Sequence, residues 1–223
     1  MEGFFKVAEK FVSINGEGTR AGQPAVFIRF VGCDLKCSYC DTSWANSHGA
    51  PFEEMTVDDI IRYILSTGIK NVTLTGGEPL MQKGVDKLLR SISEHKEISC
   101  EIETNGSIPL KKFLDISSRP IFTMDYKLPS SGMEKYMCLE NFDCLDSRDT
   151  VKFVSGSVDD LKRAKQIIDE YKLCGRVSVY ISPVFGKIEP SEIVEFMLNE
   201  KMNDVNLQLQ MHKIIWDPDR RGV

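Results

Sequence analysis

Ala25-Val26-Phe27-Ile28-Arg29-Phe30-Val31-Gly32-Cys33-Asp34-Leu35-Lys36-Cys37-Ser38-Tyr39-Cys40-Asp41-Thr42 joins an apolar strand to a loop bearing three cysteines. The first half is a short run of β-branched and aromatic residues with no helical period, the pattern of a buried strand. In the second half, three residues separate Cys33 from Cys37 and two separate Cys37 from Cys40. Thiolates so close along the chain can wrap one metal centre. Structural zinc and ordinary four-iron clusters each take four protein ligands, yet no fourth cysteine or histidine follows at motif distance. The set reads as incomplete, with one metal position left open.

A competing reading is a zinc site completed by Cys100, Cys138, Cys144, Cys174 or His48. Zinc motifs more often show two paired CxxC elements, or one followed by a histidine pair. A disulfide framework suits the chain less: seven is an odd count, and the opening residues Met1 to Lys6 lack the apolar segment of a cleaved leader. The other four cysteines read as small hydrophobes or bystanders.

Outward from this stretch, strand-like runs recur at 71–75, 99–103, 121–124, 150–154, 177–181 and 205–210, with amphipathic segments between most of them. Thr56 has the character of an N-cap, with Asp58 and Asp59 suiting the positive end of a helix dipole and Gly68 following its end. Ser157, Asp159 and Asp160 repeat that signal for a helix near 158–172, and another helix is expected over 83–95. Strands alternating with helices imply parallel pairing through right-handed crossovers. Six or seven strands are too few for a closed eight-unit barrel of about 250 residues. The expectation is therefore α/β: an open, partial barrel of about six parallel strands, one domain spanning residues 1–223. Polar or glycine-rich segments follow five of the strands, so the functional edge should be the rim of strand C-termini.

Composition narrows the classes. Lysine and arginine number 28 against 33 acidic residues, a net charge of −5 with the signs interspersed, so no basic stripe points to nucleic acid. No apolar run reaches the roughly 18 residues of a membrane span. The chain reads as cytoplasmic.

Several weaker motifs admit two readings. Gly76-Gly77-Glu78-Pro79 fits a plain turn, or a place where backbone approaches a ligand beside a carboxylate that receives an ammonium group. Glu103 and Asn105 offer acceptors suited to ribose hydroxyls but are also common in turns. Asn15-Gly16-Glu17-Gly18 fits a hairpin turn of the Asn-Gly type. Arg29 interrupts an apolar strand, so its charge must face solvent or meet an anion inside. His212 and Trp216 fit packing as well as function.

The cysteine motif with Tyr39 before its last thiol, together with Gly76-Gly77-Glu78-Pro79, resembles the radical S-adenosylmethionine superfamily. Within it the chain is similar, over nearly its whole length, to the 7-carboxy-7-deazaguanine synthase family of queuosine and 7-deazapurine biosynthesis. The marks are residues 14–18, 25–29, 40–42, 75–79, 103–106 and a tail, 207–213 ending in 221–223, of which the first and the tail are the most specific. The resemblance implies a [4Fe–4S] cluster on Cys33, Cys37 and Cys40, S-adenosylmethionine on its open iron, and Mg²⁺ held with Thr42. It implies 6-carboxy-5,6,7,8-tetrahydropterin as substrate, met by Ile14, Asn15, Gly16, Glu17, Arg29, Thr75 and Val223, with Arg29 and Glu17 as catalytic residues. Tyr39, Cys40, Asp41, Gly77, Glu78, Glu103, Asp125, Tyr126 and Lys127 would line the S-adenosylmethionine site. A flavodoxin- or ferredoxin-type electron donor and a homodimer follow from the same likeness. Two positions depart from the family pattern: Asn15 stands where glutamine is commoner, and Asp125-Tyr126-Lys127 where Ser-Pro-Lys is expected. Rival readings are a glycyl-radical activating enzyme and a non-catalytic zinc or iron–sulfur module.

Overall fold

The computed structural model describes residues 4–218 and 220–223; the leader reading at residues 1–3 lies outside them. Among the described residues nine strands form one sheet: β1 (Phe5–Ile14), β2 (Pro24–Phe30), β3 (Glu53–Met55), β4 (Asn71–Gly76), β5 (Ser99–Thr104), β6 (Ile121–Tyr126), β7 (Thr150–Ser155), β8 (Ser178–Pro183) and β9 (Val205–Leu207). Their order is β3-β1-β2-β4-β5-β6-β7-β8-β9, so the sheet is open. From β2 and β4 through β9 every pairing is parallel. An α/β architecture with an open parallel sheet is what the sequence implied, with seven parallel strands rather than about six.

The antiparallel strands β1 and β3 were not anticipated. β1 pairs with both β2 and β3, and a bulge between Val7 and Glu9 shifts its register. Such a bulge flips which residues face inward and so erases the alternation that reveals a strand. The β1–β2 connection over residues 15–23 is not a two-residue Asn-Gly turn. It is closed by Asn15 N donating to Gln23 O (2.8 Å) and Gly22 N to Asn15 O (2.7 Å). β9 ends at Leu207, short of the expected 210, although Gln208 N still donates to Ile181 O of β8 (2.9 Å).

Helices α1 (Val57–Thr67), α2 (Val85–Ser93), α3 (Val158–Glu170), α4 (Pro190–Asn199) and α5 (His212–Ile215) complete the chain. Thr56 caps α1 with a reciprocal box to Asp59, and Gly68 ends it at φ 69°, a left-handed angle that glycine adopts freely. Ser157 caps α3 by accepting from Asp160 N. α4, which the sequence reading did not single out, starts with Pro190 at its first position and a Glu189–Glu192 box.

Alternation in the central strands places the site. Val72 and Leu74, Ile102, Phe122 and Met124, Val151 and Phe153 enter the apolar core. Their neighbours Thr73, Thr75, Glu101, Thr123, Thr150 and Lys152 are also buried, although polar.

Candidate active site

Of these buried polar residues, Thr75, Thr123 and Lys152 open onto a cleft of about 690 Å³ lined by the cysteine loop, the ends of β4 to β7, residues of the 14–17 segment and the C-terminal residues 218 and 220–223. Two backbone contacts fix the cysteine loop to the end of β4: Gly77 N donates to Phe30 O (3.2 Å) and Glu78 N to Gly32 O (2.9 Å). The approach is so close that a Cβ on Gly77 would lie 1.8 Å from Gly32 O, and one on Gly76, at φ 127°, 2.3 Å from Phe30 O. The glycine pair is demanded by this seam between strands.

Other ties complete the anchoring. Asn105 Nδ2 donates to Asp34 Oδ1 (2.9 Å), Ser107 Oγ donates to Asp34 Oδ2 (2.6 Å) and Ser38 Oγ donates to Ser130 O (2.6 Å). Tyr39 spends its hydroxyl on Val154 O (3.2 Å), and burial holds its pKa above the ordinary tyrosine value.

Of the site residues read from the sequence, Ile14, Gly16, Glu17, Arg29, Cys33, Cys37, Tyr39, Cys40, Asp41, Thr42, Thr75, Gly77, Glu103, Asp125, Lys127 and Val223 line this one cleft. Three do not. Asn15 is buried, accepting from Thr73 Oγ1 (2.9 Å) and donating to Glu101 Oε2 (3.5 Å), so it braces the loop instead of lining the cleft. The Glu78 side chain is fully enclosed and accepts from Asn105 N (2.7 Å), Leu80 N (2.9 Å) and Thr104 Oγ1 (2.9 Å). It clamps two strand ends together, and its carboxylate is not free to receive an ammonium group; burial raises its pKa to about 7. Tyr126 faces the opposite side of β6 from Asp125, stacking on Phe142 and donating to Glu134 Oε1 (3.1 Å).

The cleft is charged and paired. Arg29 Nε donates to Glu9 Oε1 (2.7 Å), so the anion inside is Glu9 from the adjacent strand. Lys127 Nζ donates to Asp125 Oδ2 (2.6 Å), Lys152 Nζ pairs with Glu17 Oε2, and Lys213 Nζ lies 3.4 Å from Asp41. Burial alone would lower the Lys127 and Lys152 pKa values, but Asp125 with Cys37 and Cys40 around Lys127, and Glu17, Asp125 and Glu103 around Lys152, more than reverse it. Thr75 Oγ1 donates to Glu103 Oε2 (2.8 Å). Glu17 Oε1, Asp125 Oδ1 and Asn46 Oδ1 are buried acceptors without a protein partner.

The thiols fit an iron–sulfur cluster with one open corner. All three line the cleft, whereas Cys100, Cys138, Cys144, Cys174 and His48 do not. Among the described residues no three His, Cys, Asp or Glu side chains converge on a single-ion position. A cubane instead takes each thiolate on a separate iron. Burial raises the Cys33 pKa and lifts Cys37 to about 11, so a cationic centre is what would draw off their protons.

Comparison with known proteins agrees. Residues 27–124 match the Radical SAM superfamily. A 7-carboxy-7-deazaguanine synthase of Clostridium acetobutylicum is 55% identical, over 98% of this chain and 99% of its own. The chain belongs to the 7-carboxy-7-deazaguanine synthase family. A synthase of that name from Chlorobaculum tepidum is 37% identical over 97% of this chain and 96% of its own. The crystal structure of QueE from Escherichia coli shares the fold, with a TM-score of 0.71 at 21% identity, covering 93% of this chain and 94% of that one.

Family membership gives weight to residues the sequence reading passed over. Trp44, Lys152 and Phe185 also line the cleft, joined by two residues of the 207–213 mark that the sequence did raise, Gln210 and His212, the latter with its ring beside Gly16. Lys152 had a visible signal, a charge inside an apolar strand, the same signal that drew attention to Arg29. The two most specific marks of the family meet in space: Gln208 clasps Gly18 through Oε1 from N (2.6 Å) and Nε2 to O (3.2 Å), and Met211 N donates to Gly16 O (3.4 Å).

Proposed function

We propose that this radical S-adenosylmethionine enzyme converts 6-carboxy-5,6,7,8-tetrahydropterin to 7-carboxy-7-deazaguanine with loss of ammonia. The observation that carries the reading is the meeting of the 14–18 loop, the 208–212 segment and the tail in one cleft with the three thiols. The reaction contracts a ring without net oxidation. A cluster on Cys33, Cys37 and Cys40 with S-adenosylmethionine beside it would supply the one-electron chemistry needed to remove a hydrogen atom from the substrate.

The protein's part is to bind, orient and exclude water. Glu9 takes the Nε hydrogen of Arg29, which leaves the Nη groups to hold the substrate carboxylate in a fork. Thr42 sits beside Cys40, its Oγ1 3.6 Å from the sulfur, where a hydroxyl and the substrate carboxylate suit Mg²⁺, an ion that prefers oxygen ligands and keeps several waters. Glu17 and Thr75 meet the pterin ring, and Asp125 and Lys127 meet the nucleotide. Residues 220–223 cover the opening, with the Arg221 guanidinium 4.1 Å from the Trp44 ring centroid. Val223 reaches the pterin from this tail.

The chain works as one domain in the cytoplasm, within queuosine or related 7-deazapurine synthesis, as a homodimer reduced by a flavodoxin or ferredoxin. Among the described residues no helix is long and apolar enough to cross a membrane. Anaerobically reconstituted protein given the carboxypterin, S-adenosylmethionine and a reductant should yield 7-carboxy-7-deazaguanine by mass spectrometry. Release of 5′-deoxyadenosine that depends on a protein partner instead would replace this reading with a glycyl-radical activase.

A further inference from the structure

Lys152 enters the cleft from the middle of β7, where it is 6% exposed. Its ammonium is spent on one oxygen of one carboxylate, Oε2 of Glu17. The other oxygen, Oε1, is buried with no partner among the described residues. The loop that carries Glu17 is not free to turn that oxygen out to water. Asn15 is held by Thr73 (2.9 Å), Gly18 N by Gln208 Oε1 (2.6 Å), and Gly16 O by Met211 N (3.4 Å). A buried charged acceptor left half-satisfied destabilises the protein unless a donor arrives. The lysine reaches it from across the sheet, 135 residues along the chain, and Asp125 and Glu103 also act on it electrostatically.

We propose that Lys152 is a positioning residue: by occupying Glu17 Oε2 it leaves Oε1 as one directed acceptor for the N–H groups of an amidine-like ring edge. This deepens the pterin reading and rests on it, since the 2-amino and N3 edge of a pterin is such a donor. A Glu17 with both oxygens free would lose that direction.

The test uses cluster-loaded protein and four variants: Lys152→Met, Lys152→Arg, Glu17→Gln and the Lys152→Met/Glu17→Gln pair. The measurements are KM and kcat for the carboxytetrahydropterin, the affinity of fluorescent 6-carboxypterin, the affinity of S-adenosylmethionine, and iron content. Lys152→Met should raise KM and weaken 6-carboxypterin binding by about tenfold or more, because it strands a buried carboxylate. Iron content and S-adenosylmethionine affinity should stay at wild-type values, and Lys152→Arg should recover most of the loss. On a Glu17→Gln background, Lys152→Met should add less than about twofold, since the two act as one unit. An unchanged KM, or an equal loss with and without Glu17, overturns the proposal. Should Lys152→Met alone fail to fold, the pair removes both charges together, and its comparison with Glu17→Gln decides the matter by the same criterion. A wild-type protein that neither binds nor converts the pterin overturns the functional reading along with it, whereas conversion with a silent Lys152 overturns this proposal alone.

Discussion

The two faces of β4 to β7 come from the same residues in alternation and are almost equally dry, yet they are built of opposite chemistry. One presents Val72, Leu74, Ile102, Phe122, Met124, Val151 and Phe153 to the core. The other presents Thr73, Thr75, Glu101, Thr123, Thr150 and Lys152, all buried. Strands of a parallel sheet covered on both sides usually read as continuous apolar runs. Apolar burial stabilises by about 25 cal/mol per Å², whereas a buried polar group gains only about 1 kcal/mol net when bonded and costs stability when not. The polar face is therefore poor value as a core. Its residues make sense as the wall of a site, through Thr75, Thr123 and Lys152, and as the bed of the 14–18 loop, which Thr73 and Glu101 hold through Asn15, so the two faces should respond differently to substitution.

The largest expected effect belongs to the apolar face. Phe153→Ala should lose about 3–5 kcal/mol of stability in urea unfolding, because it deletes a fully buried ring. That is a large share of the roughly 5–15 kcal/mol typical of a domain. A loss under about 1 kcal/mol would mean that this face is not the stabilising one. Next comes the seam where the cleft is anchored. Gly77→Ala must push its methyl into Gly32 O, backbone that has little room to yield. The expected cost is about 3 kcal/mol, with iron content falling alongside it because Gly32 precedes the first thiol. Full iron loading in a stable Gly77→Ala protein would show that the seam is looser than its geometry.

On the polar face the expected change is smaller and carries a pH signature. Burial raises the Glu101 pKa from 4.5 to about 7, with Thr123 and Asn15 as its hydrogen-bond partners. Between those values the folded state holds a proton that the unfolded chain has lost, so stability falls as pH rises from about 4.5 through 7. Glu78 acts in the same window and direction. Glu101→Gln keeps a hydrogen-bonding amide without the titration. The drop in unfolding free energy between pH 5 and pH 8 should then shrink by on the order of 2 kcal/mol. A profile superimposable on wild type would mean that Glu101 ionises freely and that this face is wetter than its burial implies.

The same contrast separates what could be read from the sequence from what could not. Strands β2 and β4 to β9 were legible because their apolar runs and the polar segments after them are local signals. β1 was not, since its bulge changes the phase of the alternation within one strand. Most cleft residues were legible from motifs at strand ends. Glu78 was misjudged because its partners Thr104 and Asn105 lie 26 and 27 residues away, and only the parallel pairing of β4 with β5 brings them together. Tyr126 needed only the two-residue period, which sends it to the apolar face while Asp125 and Lys127 stay on the polar one. The clasp of Gln208 on Gly18 spans 190 residues, beyond any local signal.

The smallest predicted effect tests whether the faces are independent. Thr56 starts α1, whose Ile60, Ile61 and Ile64 pack into the apolar core. Its hydroxyl accepts from Asp59 N (3.1 Å) and donates to Asp59 Oδ2 (2.7 Å), so Thr56→Ala strands one of the helix's free N–H groups and half of the capping box. The usual cost is about 1 kcal/mol, which in a chain of this size corresponds to a melting temperature lower by about 2–4 °C. No bond joins this cap to the cleft, so the KM for the carboxypterin and the iron content should match wild type. A change in KM as large as that expected of Lys152→Met would mean that strain on the apolar face reaches the polar one, and the sheet would have to be treated as one mechanical unit.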